Sequence, residues 1–127
     1  MKAVIQRVSK ASVTVDGELV SSIGKGYLVL LGVMDDDNES DAEVIARKIS
    51  TLRVFEDEDG KMNLDIQNVE GEILAVSQFT LCADVKKGNR PSFCHSAHPD
   101  RANELYEYFC GKLLENGVKG VKKGVFG

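Results

Sequence analysis

The chain has 127 residues, 43% of them hydrophobic and 28% charged, and a formal net charge of −4. Those numbers describe one soluble globular domain, 1–127, large enough to bury a core without staples. They exclude a low-complexity chain, and the weakly repulsive overall field means that any nucleic-acid contact has to come from a local basic patch.

No apolar run approaches the roughly 18–20 residues that a membrane span needs. The start, Met1 to Arg7, lacks the apolar stretch of a secretion signal and reads as a strand. The expected address is therefore the cytoplasm, with no membrane partner. Three cysteines, Cys82, Cys94 and Cys110, form an odd set without a secretion signal, which argues against a disulfide framework.

Taken in chain order, Lys2 to Ser9 alternates and is rich in Val and Ile, a strand pattern. Ala11 to Val15 and Leu19 to Ile23 flank Asp16-Gly17, a strong hairpin signal. Tyr27 to Val33 is a continuous apolar run, as expected of a strand buried on both faces. Asp35-Asp36-Asp37-Asn38-Glu39 resembles part of a calcium loop but lacks its glycine and distal Glu, so it reads as a solvated acidic turn before a helix. Ser40-Asp41-Ala42-Glu43 reads as a capping box. Ala42, Ile45, Ala46, Ile49 and Leu52 follow with helical spacing. Arg53 to Phe55 reads as a short strand before the turn Asp57-Glu58-Asp59-Gly60, and Glu72 to Leu81 as the longest strand. A second helix begins at Pro99, buries Ala102, Leu105, Tyr106, Phe109 and Leu113, and stops at Gly117. Val118 to Gly127 looks like the start of a further strand. The pattern predicts an α/β fold of mixed, curved β-sheets, barrel-like, with two helices packed on one side.

Four constellations bear on chemistry. Ser77-Gln78-Phe79-Thr80-Leu81 closes an apolar strand with polar groups. It reads either as a strand passing from core to surface or as a strand-end site where backbone N–H groups bind an oxyanion. Thr80 has the hydroxyl of a nucleophile, but no sequence neighbour is a base for it. Lys86-Lys87-Gly88-Asn89-Arg90 sets three cations around a Gly-Asn turn, either a solvated loop or a phosphate-binding one. Lys112, Lys119, Lys122 and Lys123 form a second basic group, which also suits a helix end and a solubilising tail. Cys94, His95 and His98, with Cys82, offer metal donors but no CxxC pair, so no metal and no cofactor is expected. Cys94 and His95, adjacent on an extended chain, point apart and make a poor nucleophile pair.

Five segments together resemble one known family: Met1 to Val8, Ala11 to Val15, Leu52 to Asp57, Ser77 to Leu81 and Lys87 to Phe93. In order and spacing they are similar to the D-aminoacyl-tRNA deacylases. The Ser77–Leu81 motif is specific, and a related deacylase that edits L-alanine carries a different motif there. The resemblance implies a homodimer with active sites at the subunit interface, and tRNA charged with D-amino acids as the substrate. The reaction it implies is ester hydrolysis without a metal. Ser77, Gln78, Phe79 and Thr80 would line the pocket, with the amides of Phe79 and Thr80 facing the oxyanion and the substrate's 2′-hydroxyl activating water. Arg7 would sit near the interface, and Lys86, Lys87 and Arg90 would bind the RNA. Backbone recognition predicts broad tolerance among D-amino acids, with achiral glycyl esters also accepted. The family's second signature, Gly-Pro-Val-Thr, has no match among these residues, whose only prolines are Pro91 and Pro99. That departure keeps a non-catalytic, dimeric tRNA-binding protein as the alternative.

Overall fold

The computed structural model describes residues 1–82 and 96–124. Four strands make the main sheet: β1 (Lys2–Val8), β4 (Gly26–Gly32), β7 (Glu72–Ser77) and β8 (Gly120–Lys123). Between the first two lies a hairpin of β2 (Ala11–Val15) and β3 (Glu18–Ile23). Its turn has φ of 51° at Asp16 and 81° at Gly17. Positive φ at both central residues is what a tight hairpin needs to match strand twist, and Asp-Gly supplies it.

In the main sheet the order is β1-β4-β7-β8. β1 runs antiparallel to β4, whereas β4–β7 and β7–β8 are parallel pairs. Each parallel step requires a crossover, and a helix provides it: α1 (Glu39–Thr51) between β4 and β7, α2 (Pro99–Glu115) between β7 and β8. Both steps move the same way across the sheet. Crossovers of the same hand must then lay both helices on the same face. This is the physical basis of the two-helix layer. Among the described residues the sheet is open, with β1 and β8 at its edges, so the barrel-like curvature does not close.

The core follows from that layering. Tyr27, Val29 and Leu31 of β4, with Ile73 and Ala75 of β7, face the helices and are fully buried. Ala42, Ala46 and Ile49 of α1 and Leu105, Phe109 and Leu113 of α2 close over them. Each large side chain buried this way contributes roughly 1.5–3 kcal/mol. The Tyr106 hydroxyl, which reaches the sheet from α2, is matched, since Tyr106 Oη donates to the Ala75 carbonyl at 2.6 Å. Ala102 and Ile45 are only half-buried, and Leu52 is the exposed C-cap of α1.

Local readings are corrected at four places. The N-cap of α1 is Asn38, not Ser40: Asn38 accepts from the Asp41 amide while Asp41 accepts from the Asn38 amide. The same reciprocal geometry is thus built two residues earlier from Asn and Asp. The strand expected at Arg53 begins at Phe55, because Arg53 turns its Nε to the Asn63 carbonyl. Its partner, β6 (Met62–Leu64), was not foreseen; with β5 (Phe55–Glu56) it forms a small separate ladder. Finally, β7 stops at Ser77, and Phe79–Cys82 form a 3-10 turn instead of continuing the strand to Leu81. The strand expected near the end is β8, paired with β7. Gly117, with φ of 99°, follows the C-cap Asn116 of α2 as expected.

Candidate active site

The carboxyl ends of the parallel strands β4 and β7 meet at Gly32 and Ser77. Open α/β sheets place ligand sites at such ends because the chain must leave the sheet there and exposes unpaired backbone. The departure is well defined. The Gln78 amide still bonds the Leu31 carbonyl at 2.8 Å, one last rung of the β4–β7 pairing. The chain then turns, and the Leu81 amide closes back on the Gln78 carbonyl at 3.3 Å. The turn carries the amides of Phe79 and Thr80, the first two residues of the 3-10 segment Phe79–Cys82. Two consecutive N–H groups at a strand end have the character of an oxyanion-binding element.

The side chains fit a backbone-centred site. Ser77 and Gln78 are half-buried, whereas Phe79 and Thr80 are exposed, with Phe79 at 53%. Thr80 Oγ1 accepts a hydrogen bond from Gln78 Nε2. That partner is an amide, which cannot take a proton from the hydroxyl. Behind the turn, Cys82 is buried and its thiol donates to the Val33 carbonyl at 3.5 Å. The Ala97 amide bonds the same carbonyl at 3.0 Å, so the approach to α2 and the turn share one anchor at the end of β4. Ser96 Oγ lies 3.5 Å from the Phe79 carbonyl, a long hydrogen bond to the peptide unit that carries the Thr80 N–H. Gly32, Ser96 and Cys82 were not picked out as site residues from sequence. Only the fold brings them beneath the turn.

Arg7 is not part of this cluster within the chain. Strand register pairs Arg7 with Tyr27 and Tyr27 with Ile73, four residues down β7 from Ser77, or about 13 Å at ~3.3 Å per residue. Arg7 donates to the Val54 carbonyl at 2.7 Å and lines an open cleft of about 440 Å³ with Ser9, Lys25 and Phe55. Burial, then Asp65, pushes the Tyr27 phenol up to about 12, and Arg7 opposes that shift. Lys86, Lys87 and Arg90 lie outside the described residues, as do Cys94 and His95. His98 caps α2, accepting at Nδ1 from the Asp100 amide at 3.4 Å. Among the described residues no group of three or more His, Cys, Asp or Glu side chains is arranged to hold a metal.

Comparison with known proteins now decides the lineage. The sequence profile of the D-Tyr-tRNA(Tyr) deacylase family matches residues 4–127. The chain belongs to that family. A D-aminoacyl-tRNA deacylase of Koribacter versatilis is 56% identical over 126 residues, 99% of this chain and 84% of that protein. One from Staphylococcus aureus is 56% identical over all 127 residues and 83% of its own length. One from Thermus aquaticus is 55% identical with the same coverage. Among solved structures, a chain titled c-Myc DNA Unwinding Element Binding Protein superposes with a TM-score of 0.93 at 45% identity, over 99% of this chain and 85% of that one. A probable eukaryotic D-amino acid tRNA deacylase superposes with a TM-score of 0.82 at 17% identity, over 98% and 88%, and shares the fold. In this deacylase-family chain, the strand end at Ser77 and the turn after it carry the Ser77–Leu81 motif.

Proposed function

We propose that the protein hydrolyses the ester joining a D-amino acid to the terminal ribose of tRNA, releasing free amino acid and tRNA as a chiral proofreading step. The observation that carries this reading is family membership across 99% of the chain, with relatives named for this activity. A non-catalytic tRNA-binding role is less favoured, because those relatives are named as hydrolases.

The chemistry follows from the turn. Water attacks the ester carbonyl carbon, and the carbonyl oxygen gains negative charge. The amides of Phe79 and Thr80 meet that charge as hydrogen-bond donors. Collapse of the tetrahedral intermediate breaks the bond to the ribose oxygen, which leaves with a proton. The neighbouring ribose 2′-hydroxyl takes the proton of the attacking water and passes its own to the departing ribose oxygen, so no protein base is required. Ser77 and Gln78 shape the pocket wall, and Lys86, Lys87 and Arg90 hold phosphates of the acceptor end. The reaction needs no metal.

The working unit is a homodimer with the active sites at its interface and Arg7 near the contact. Supporting it, Val4 on β1 is 49% exposed and Leu19 on β3 is 64% exposed, apolar surface that a second copy would cover. No helix among the described residues is long and apolar enough to cross a membrane. The cytoplasm, where tRNA is charged, is the expected place of action. The test is release of tyrosine from D- and L-tyrosyl-tRNA. Fast release from the D-ester alone supports the reading. Tight tRNA binding without release would establish the non-catalytic role instead.

A further inference from the structure

We propose that Gly32 is a positioning residue for deacylation: its missing side chain lets the Phe79–Cys82 turn seat directly on the end of β4, and that depth sets where the Phe79 and Thr80 amides point. The proposal rests on the oxyanion role given to those amides above.

The geometry is specific. A Cβ added at Gly32 would lie 2.9 Å from Leu81 Cβ, 3.1 Å from Cys82 Sγ and 3.3 Å from the Gln78 carbonyl oxygen. Leu81 Cβ is fixed to the backbone and cannot swing aside as a side-chain tip can, so the backbone of the turn has to move. Two of the three groups met belong to the bond that closes the turn, since Leu81 donates to the Gln78 carbonyl. The third, Cys82, is buried and tied to the Val33 carbonyl, so the turn cannot shift sideways without losing that anchor. The remaining response is to lift the turn off β4, carrying residues 79 and 80 with it. Oxyanion donors act only within a few tenths of an ångström of the right place, so even a small lift weakens them at the transition state more than it weakens substrate binding.

A second glycine provides a matched control. A Cβ at Gly71 would lie 2.9 Å from Ile66 Cγ1 and 3.2 Å from the Lys25 carbonyl, similarly crowded. It sits just before β7, at the opposite end of the sheet from the turn. Loss of packing alone would affect Gly32→Ala and Gly71→Ala alike.

The experiment measures steady-state release of D-tyrosine from D-tyrosyl-tRNA by Gly32→Ala, Gly71→Ala and Thr80→Ala, with thermal unfolding of each. The expected result for Gly32→Ala is a kcat at least tenfold lower with KM within threefold of wild type, while Gly71→Ala, similarly destabilised, keeps wild-type kcat. A folded Gly32→Ala with kcat within twofold of wild type overturns the proposal, as does an equal loss in both glycine variants. Where Gly32→Ala does not fold, Cys82→Leu wedges the turn from its other side and should produce the same fall in kcat; wild-type kcat in that variant is equally fatal. Complete loss in a folded Thr80→Ala would sink the oxyanion reading itself, which separates its failure from that of Gly32.

Discussion

Replacing Thr80 by Ala separates two mechanisms by orders of magnitude. The substitution keeps both amides of the turn and removes one hydroxyl, whose hydrogen bond comes from Gln78 Nε2. Both side chains are near solvent, so that bond contributes about 0.5–1.5 kcal/mol, toward the low end. Freeing the Gln78 amide loosens the pocket wall by no more than that, which translates into at most about a tenfold fall in rate. Melting should drop by only a few degrees, since ~1 kcal/mol corresponds to roughly 4 °C in a domain of this size. Loss of a required nucleophile, by contrast, typically costs ~10⁴-fold or more. The assay is single-turnover release of D-tyrosine from D-tyrosyl-tRNA at saturating enzyme. A folded variant with less than about one part in 10³ of wild-type rate would refute the backbone account and make the Thr80 hydroxyl the reacting group.

Charge removal at Lys86, Lys87 and Arg90 should weaken tRNA binding and flatten its salt dependence, each lost phosphate contact reducing the slope of log K by about 0.7–0.9. A triple variant with an unchanged slope would take these three residues out of the RNA contact. Burial pushes the Cys110 thiol up to about 12 from 9.0, with Lys123 opposing the shift. Because the folded value is the higher one, the unfolded chain loses its proton first, and this thiol's contribution to stability is present below pH 9 and lost as pH climbs from 9 toward 12. The urea midpoint should therefore fall between pH 8 and 10 by more in the parent than in Cys110→Ala; equal falls contradict the assignment. Tyr106→Phe removes the donor to the Ala75 carbonyl, which still accepts from the Gly124 amide at 3.1 Å. The cost should be about 1 kcal/mol with unchanged deacylation, measured by urea unfolding and turnover; a loss of activity would link that end of β8 to the site.

Elements that announce themselves locally were legible in the sequence. Asp16-Gly17 specifies its hairpin because both residues tolerate positive φ. Tyr27 to Val33 reads as a strand buried on both faces, and β4 is indeed internal to the sheet, but Leu28 and Leu30 on the face away from the helices are only half-buried. Pro99 and Gly117 bracket α2 through backbone restriction alone. What escaped was set by tertiary contact. Nothing within Glu72 to Leu81 says that pairing ends at Ser77; the turn forms where Gly32, distant in sequence, leaves room for it. Ser40 and Asn38 are near-equal caps, and the Asp41 carboxylate decides for Asn38 by bonding its amide. Met62–Leu64 is too short to show a period and exists as a strand only because β5 lies beside it. The motif residues Ser77 to Thr80 stand together in the sequence, but that Phe79 and Thr80 fall in a turn just past the strand end needed the fold.

The central claim is that backbone amides, not side chains, stabilise the transition state. Replacing Thr80 with its α-hydroxy-acid counterpart tests it most directly, because this swaps the N–H for an oxygen and keeps the side chain. The account predicts a well-folded protein whose kcat for D-tyrosyl-tRNA falls roughly 10²–10³-fold, as for loss of one oxyanion donor, with little change in KM. Wild-type kcat in that ester variant would contradict it.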